Sequence, residues 1–515
     1  GGPEREVCIM DASASDSRGT SAPFMPVATL GHAATVGHAA TPGHASAERD
    51  ACGIGFVAHV DGVPRRAIVT MALDGLAGVK HRGALAADAR SSDGAGLLTQ
   101  IPRPAVASWA AAAGAATTPP EDLGLVVVFL APGSDQVAVR SRDGAKRAVE
   151  RACAKEHVRF VGWRTPPIDR DALGEDARHR QPELLQAIVA RPIGHDDREA
   201  ERAAYRVRRR AEQECRRHGW RFYVASCSFL TVTYKAMVAA DQLATFYRDL
   251  QDERFVSASA VFHSRFSTNT TPTWERAQPF RMLCHNGEIN TIDGNVAAMR
   301  AREGRFAAGV TSIDGEDWIE PDLLTPVLEA DQSDSAHLDG VLELLVRAGR
   351  DVRHAQAMLV PQVWQGTGDL QPSIRDFYRY HSGLMEPWDG PAALIFTDGS
   401  RVGAALDRNG LRPLRYHVYE DGLVVAASEV GAVATPLPTH LDDRHGKVRR
   451  ERLGPGQMLC VDPNEGGLQE DREIKLRLAD AQPYGRWLDD HLVRAHVGEP
   501  EPGADEGLQQ RQIAF

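Results

Sequence analysis

The sequence predicts a layered α+β fold in which antiparallel sheets are covered by helices. Two observations carry that expectation. Strand-like and helix-like runs come in blocks rather than in strict βαβ alternation, which disfavours a doubly wound parallel sheet. In the later block, AALIFTD, RVGAALD, RPLRYHVY and GLVVAAS are separated by Asp-Gly or Asn-Gly signals, the dipeptides that close tight antiparallel hairpins.

Residues 1–51 are rich in Ala, Gly, Ser, Thr and Pro and carry a short repeat, GHAAT-V-GHAAT-P-GHAS. Too few large apolar side chains are present to bury a core, so the segment is expected to be a disordered leader. His32, His38 and His44 read as incidental residues of a flexible spacer, with metal chelation as the alternative. The chain starts at Gly1, so Met10 or Met25 is the expected initiator.

At Ala51 the texture changes. CGIGFVAHV reads as a buried strand, followed by a helical pattern over 67–79 and a second strand over 96–101. LGLVVVFLA (123–131), VRFVGW (158–163) and ASAVFHSRF (258–266) are further strands. Over 199–217, Ala200, Ala204, Val207, Ala211 and Cys215 form a stripe at helical spacing, so this Arg-rich stretch reads as a solvated amphipathic helix, with a polyanion site as the alternative. A helix is expected over 338–348. From about Gly454 the chain turns Pro-, Gly- and acid-rich and stops without a finishing element. The expected organisation is a leader over 1–51, a catalytic domain over 52–453 and an extension over 454–515 toward a further domain.

With 515 residues, the chain has room for two to three globular regions. Lys and Arg total 59 against 70 Asp and Glu, a net charge of −11. That balance argues against a phosphate-backbone binder, so nucleic acid is excluded as a partner. No 18-residue apolar run and no basic-then-apolar leader occur, which predicts a cytoplasmic protein with no membrane partner. Seven dispersed cysteines without a C-x-x-C pair exclude a disulfide framework or zinc ribbon.

Cys52 stands where the leader meets the first strand. Cleavage after Ala51 would put a thiol and an α-amine on one residue. A thiol ordinarily titrates at about 8.5 and an α-amine at about 8, so the amine can take the thiol proton, the logic of an N-terminal nucleophile. The competing reading is a buried strand cysteine. HSRFSTNT (263–270) and CHNGEIN (284–290) both sit at strand ends, where side chains face clefts. Asn286-Gly287 is a common turn. Beside a thiolate, however, an Asn side-chain NH₂ and a Gly N–H make two donors for a tetrahedral oxyanion.

CGIGFVAHVDG, HRGALAADARSSDGAG, FHSRFSTNTTPTWERAQPFRMLCHNGEINTIDGN, DQSDSAHLDGVLELLVRAGR and GAALDRNGLRPLRY, in that order, resemble the N-terminal glutamine amidotransferase domain of the glutamate synthase large (alpha) subunit. The resemblance runs from Cys52 through PYGRWL to the last residue. It implies a class II, N-terminal-nucleophile (Ntn) hydrolase with an αββα four-layer sandwich. Carried over position by position, it makes Cys52 the nucleophile on the glutamine amide carbon and gives Asn286 and Gly287 the oxyanion. Arg265 would bind the substrate α-carboxylate, Asp334 its α-ammonium, and Arg82 would order the site beside the nucleophile. Asp334 also reads as a helix N-cap. SSDG (91–94) departs from the Thr-Gly-Asp-Gly usual in the family.

The resemblance further implies glutaminase activity through a thioester, with ammonia passed to 2-oxoglutarate for glutamate synthesis in the full enzyme. Its partners would be L-glutamine, the remaining synthase domains and the small (beta) subunit. FMN and an iron–sulfur cluster belong to the remainder of a full-length subunit, and no cofactor is expected in this segment. No G-x-G-x-x-G, P-loop or cluster-type cysteine spacing is present in the sequence. Alternatives are a class II enzyme for another acceptor, such as a phosphoribosyl or sugar phosphate, a non-catalytic glutamine- or partner-binding domain, and a papain-like peptidase. The long stretch between Gly96 and His263, matched by the glutamate synthase pattern, disfavours the first. The nucleophile and oxyanion donors occurring together disfavour the second, and the lack of a distinguished histidine base disfavours the third.

Overall fold

The computed structural model describes residues 8–10, 52–84, 86, 88, 90–266, 271–306, 315, 317–366, 370–429, 431–433 and 447–494. A short strand, β1 (Cys8–Met10), precedes β2 (Gly53–His59), α1 (Arg66–Gly78), β3 (Ser91–Gln100) and α2 (Arg103–Ala112). Next come β4 (Leu123–Leu130), α3 (Gln136–Lys155), β5 (Arg159–Arg164), α4 (Glu175–His179), β6 (Glu183–Ala190) and α5 (Asp197–Arg217). The chain continues through β7 (Phe222–Ser228), β8 (Thr231–Val238), α6 (Leu243–Phe246), β9 (Ser259–Ser264) and β10 (Leu283–Gly287). Helices α7 (Ile292–Phe306), α8 (Pro321–Leu324), α9 (Asp334–Arg347), α10 (Val352–Leu359) and α11 (Pro372–Ser382) follow. Strands β11 (Ala392–Thr397), β12 (Val402–Leu406), β13 (Arg415–Tyr419), β14 (Leu423–Ala427), β15 (Val448–Arg452), β16 (Met458–Asp462) and β17 (Gly467–Glu470) lead to α12 (Asp471–Asp480), α13 (Tyr484–His491) and β18 (Leu492–Arg494).

Two antiparallel sheets form the centre, a seven-stranded one ordered β15-β13-β14-β2-β9-β3-β8 and a five-stranded one ordered β10-β11-β12-β16-β17. Strand alternation sends successive side chains to opposite faces. Ile54, Phe56 and Ala58 of β2 meet Ala393, Ile395, Ala404 and Val461 of the five-stranded sheet in one apolar cluster between the sheets. On the opposite face Val57, Leu97 and Phe262 pack on Ile68, Ala72 and Leu76 of α1. The outer face of the five-stranded sheet (Leu283, Leu394, Phe396, Met458) packs on Leu338 and Leu342 of α9, Phe377 of α11 and Ile474 of α12. The layers are therefore helix, sheet, sheet, helix: the αββα sandwich expected.

Three features differ from the sequence reading. A third sheet, β5-β6-β4-β7, stands beside the sandwich. One face of β4 (Val126, Val128, Leu130) packs on α3 and α5, while Leu125, Val127 and Phe129 join the cluster under the seven-stranded sheet. Its partners ELLQAIVA and FYVASCS carry little period-two signal of their own, and pairing across sequence cannot be read from periodicity. The corner from β7 to β8 is held by Glu201, whose Oε1 accepts from Ser228 Oγ (2.7 Å), Phe229 N (2.6 Å) and Leu230 N (3.2 Å).

The arginine face of α5 is not solvated. Arg202, Arg208 and Arg209 are buried. Arg208 pairs with Glu343 of α9 at 2.6 Å and with Glu212 at 3.0 Å, and Arg209 pairs with Glu212 at 2.9 Å. The alanine stripe faces the sheet, but α8 and α9 cover the other side, a second layer that amphipathicity cannot register. Finally, residues 458–491, placed by the sequence reading in an extension beyond 453, supply β16 and β17 to the five-stranded sheet and helices α12 and α13 against α11. The leader and its histidine repeat lie outside the described residues, apart from β1, which pairs antiparallel with β18.

Candidate active site

Cys52 immediately precedes β2, which runs between β14 and β9 in the interior of the seven-stranded sheet. Cys52 is about nine-tenths buried. Sγ accepts from Phe266 N at 3.3 Å and lies 3.4 Å from Phe266 O. Burial pushes the thiol pKa up, and the Phe266 N–H and the nearby positive charges of Arg265 and Arg412 only partly offset it. The thiol is thus held protonated, and among the hydrogen bonds of the described residues no carboxylate or imidazole contacts Sγ.

Strand β9 carries the chain to Arg265, which is buried. Its backbone N donates to Gly94 O at 2.8 Å, and Nη1 reaches Asp93 O at 3.5 Å. SSDG therefore forms the wall behind this guanidinium, with the β3–β8 register shifting between Ser91 and Ala95. A buried guanidinium beside a thiol is a ready partner for a carboxylate.

Strand β10 is the edge of the five-stranded sheet. Thr397 N donates to Met282 O and Glu288 N to Pro391 O, so even-numbered residues bond toward β11. Odd-numbered amides face the open edge: His285 N donates to Gln278 Oε1 at 2.9 Å, and the Gly287 N–H, two residues on, points the same way. Asn286 shares its face with Cys284, which packs in the same inter-sheet cluster as Cys52. Asn286 is fully buried, yet neither its Nδ2 nor its Oδ1 has a partner among the described residues. An orphaned buried amide is costly and marks a place where a ligand would satisfy it. Gly287 has φ +135°, and a Cβ there would lie 1.7 Å from Pro391 O, so only glycine fits.

Asp334 opens α9 as its first helical residue. The cap is its neighbour Ser333, whose side chain accepts from Ala336 N, which corrects the N-cap alternative for Asp334. The Asp334 carboxylate accepts from Ser335 N at 2.7 Å and from Ile289 N at 3.0 Å. Cys52, Arg265, Gly287 and Asp334 together line one cavity of ≈ 600 Å³. Opposite charges at Arg265 and Asp334 suit an amino-acid zwitterion.

Arg82 does not line this cavity. It pairs with Glu429, as does His81 at 2.8 Å. Four residues of HSRFSTNT, 267–270, lie outside the described residues. Sequence reasoning passed over Gln278, His285, Arg300 and Ser335, all of which line the cavity. Burial holds the His285 pKa below its usual value, and its Nε2 has no partner among the described residues. HNG and SDS flank or contain two of these residues, a signal that was present, whereas Arg300 sits on α7 with nothing local to distinguish it. Among the described residues no group of three or more His, Cys, Asp or Glu side chains is placed to hold a metal, and no helix is long and apolar enough to cross a membrane.

The sequence pattern of the family described as glutamine amidotransferases class-II matches residues 52–487. The glutamate synthase [NADPH] large chain of Bacillus subtilis is 41% identical over 91% of this chain and 30% of its own length. Ferredoxin-dependent glutamate synthase 2 of Synechocystis is 42% identical over 86% of this chain and 27% of its own. The chain thus spans under a third of the length of these curated relatives. A solved structure of the allosteric regulatory enzyme of purine biosynthesis aligns over 81% of this chain and 48% of its own with 11% identity and a TM-score of 0.34, too distant to carry an argument. From Cys52 onward this chain belongs to the class II glutamine amidotransferases, and within them it is homologous to the glutamate synthase large chains.

Proposed function

We propose that this chain, once the residues before Cys52 are removed, hydrolyses L-glutamine to glutamate and ammonia through a thioester on Cys52. The observation that carries the reading is the buried, unpartnered amide of Asn286 on the inter-sheet face, whose chain neighbours His285 and Gly287 line the cavity that also gathers Cys52, Arg265 and Asp334. Arg265 would take the α-carboxylate and Asp334 the α-ammonium, placing the side-chain amide at Sγ. The freed α-amine of Cys52 accepts the thiol proton as Sγ adds to the amide carbon. The Asn286 NH₂ and the Gly287 N–H would stabilise the oxyanion. The carbon–nitrogen bond then breaks, the nitrogen takes the proton from the α-amine and leaves as ammonia, and water hydrolyses the thioester to glutamate. A raised thiol pKa fits this scheme, because the nucleophile then depends on a base that exists only after cleavage.

In a larger enzyme the ammonia would serve glutamate formation from 2-oxoglutarate, with a small subunit as further partner. FMN and an iron–sulfur cluster would lie outside this segment. The described cysteines from Cys52 on are single, buried and on separate elements, a donor set that does not fit a cluster. Those free thiols support a cytoplasmic setting.

Intact mass and N-terminal sequencing of the expressed chain, followed by treatment with 6-diazo-5-oxo-L-norleucine, test the proposal. A single adduct on a chain beginning at Cys52 is the expected result. Glutaminase turnover with residues 1–51 attached, or undiminished turnover in Cys52→Ser, would overturn it. A Cys52-initiated chain that binds glutamine without turnover would favour the binding-module alternative.

A further inference from the structure

We infer that Gln278 is a positioning residue that fixes the oxyanion strand and the ammonium-binding carboxylate at one separation, an inference that rests on the glutaminase reading above. Gln278 is buried and lines the cavity. A backbone N–H can only donate, so the contact with His285 N (2.9 Å) assigns Oε1 to that side and leaves Nε2 to donate to Ser335 Oγ at 3.2 Å. Ser335 Oγ in turn donates to Asp334 Oδ1 at 3.3 Å, with Ser333 Oγ 3.4 Å away. Asp334 Oδ2 accepts from Ile289 N at 3.0 Å, just past the end of β10.

These bonds close a circuit. It leaves β10 at His285, passes through Gln278 and Ser335 to Asp334, and returns to the chain at Ile289. Asn286 and Gly287 lie inside the loop. One amide side chain therefore ties the strand bearing both oxyanion donors to the first turn of α9, which comes from a different part of the sequence. Asp334 is also held by Ser335 N and Ile289 N, so losing Gln278 shifts the carboxylate without releasing it. The substrate is gripped at its α-ammonium and reacts at the far end of its side chain, so an error in the separation appears in both binding and chemistry. A misplacement of about 1 Å in such a site costs on the order of 100-fold.

The test is Gln278→Glu in a chain expressed to begin at Cys52. Glutamate keeps the shape and the acceptor for His285 N. When ionised it cannot donate to Ser335 Oγ, so the hydroxyl turns toward it and abandons Asp334. Burial beside Asp334 raises the pKa of the new carboxyl, which brings its protonation into reach. Protonated, it regains a donor. At pH 8 the variant is expected to show raised KM and lowered kcat, roughly tenfold or more in kcat/KM, and its ratio to wild type should climb as pH falls toward 5.5. A loss of folded protein alone lowers kcat, leaves KM unchanged and gives a ratio flat with pH, and that result overturns the inference. Gln278→Leu, which loses both bonds, serves as the second variant: raised KM at every pH supports the circuit, and wild-type KM overturns it. A wild-type chain that neither hydrolyses L-glutamine nor binds it by calorimetry defeats the functional reading itself. An active wild type with an indistinguishable Gln278→Glu defeats only the role of Gln278.

Discussion

Gly287→Ala separates catalytic geometry from overall stability. The added Cβ would lie 1.7 Å from Pro391 O, 2.8 Å from Pro391 C and 3.1 Å from Ala392 Cα. Ordinary contact begins near 3.4 Å, so the strand end must move by about 1.7 Å or its backbone must turn. The residue sits at φ +135°, and holding alanine there costs about 1–3 kcal/mol. Overpacking against a fixed carbonyl adds about 1–3 kcal/mol more. Over the roughly 440 residues of this fold, an unfolding entropy of about 2 cal/mol/K per residue converts a total near 4 kcal/mol into a Tm shift of only about 4 °C. The variant should therefore be folded at 25 °C. The N–H of Gly287, however, moves out of the roughly 2.7–3.1 Å window an oxyanion donor must keep, and losing one donor costs about 10²–10³ in kcat. Scanning calorimetry and a coupled glutamate assay on a chain beginning at Cys52 measure both effects. Gly114→Ala, with φ +87° and nothing within 4 Å of the new Cβ, controls for the backbone penalty alone and should keep full activity. Retention of more than a third of wild-type kcat by Gly287→Ala would refute the assignment of its N–H.

Three further expectations rest on other parts of the molecule. Asp334→Asn keeps an acceptor for Ile289 N but removes the charge proposed to face the α-ammonium, so KM for glutamine should rise roughly 10- to 100-fold in initial-rate measurements, as expected for a hydrogen bond to a charged group; an unchanged KM would reassign the ammonium site. Arg208→Ala takes one of two arginine partners from each of the buried Glu343 and Glu212, which keep Arg281 and Arg209, and should cost about 1–3 kcal/mol in urea denaturation; a loss below about 0.5 kcal/mol would show that the α5–α9 pairing is dispensable. Burial depresses His263 and His354 to about 3 and His381 to about 4, so the fold holds all three neutral while the unfolded chain binds their protons near pH 6.5. Their stabilisation is complete above that pH and is lost as pH falls through 6.5 toward 4, at up to about 4 kcal/mol per unit for three protons. Denaturation series from pH 7.5 to 5 should show that slope, and a flat profile between 6 and 5 would contradict neutral burial.

Much of the sandwich was legible because its signals are local. CGIGFVAHV is apolar on both faces, and β2 is an interior strand with a sheet on one side and α1 on the other. Hairpins β11–β12 and β13–β14 announced themselves through Asp-Gly turns. The candidate site was legible to the extent that its proposed residues cluster in short motifs at element ends: Arg265 after β9, Asn286 and Gly287 at the end of β10, Asp334 at the start of α9. Contacts made across sequence were hidden. The salt bridge of Arg82 with Glu429 spans 347 positions, and nothing in HRG indicates it. Gln278 looks like any polar residue before a proline until β10 is placed beside α9. The buried arginines of α5 resemble solvated ones because a sequence shows an amphipathic face and not what lies upon it.

The Glu201 corner bears on how this molecule comes apart. Strands β7 and β8 belong to different sheets yet are joined by only Phe229 and Leu230, and one carboxylate binds three groups around that joint while Arg347 holds its other oxygen at 2.6 Å. Strand β4 also faces two ways, lending side chains both to α3 and α5 and to the cluster beneath the seven-stranded sheet. The lobe over 123–228 thus resembles a buttress more than an appendage: it has a core of its own against α3 and α5, but the other face of its central strand is spent on the sandwich, and only two residues separate β7 from β8. Slow amide exchange should extend from β2 into β4 as one protected block, and excising the lobe would open the sandwich rather than trim it.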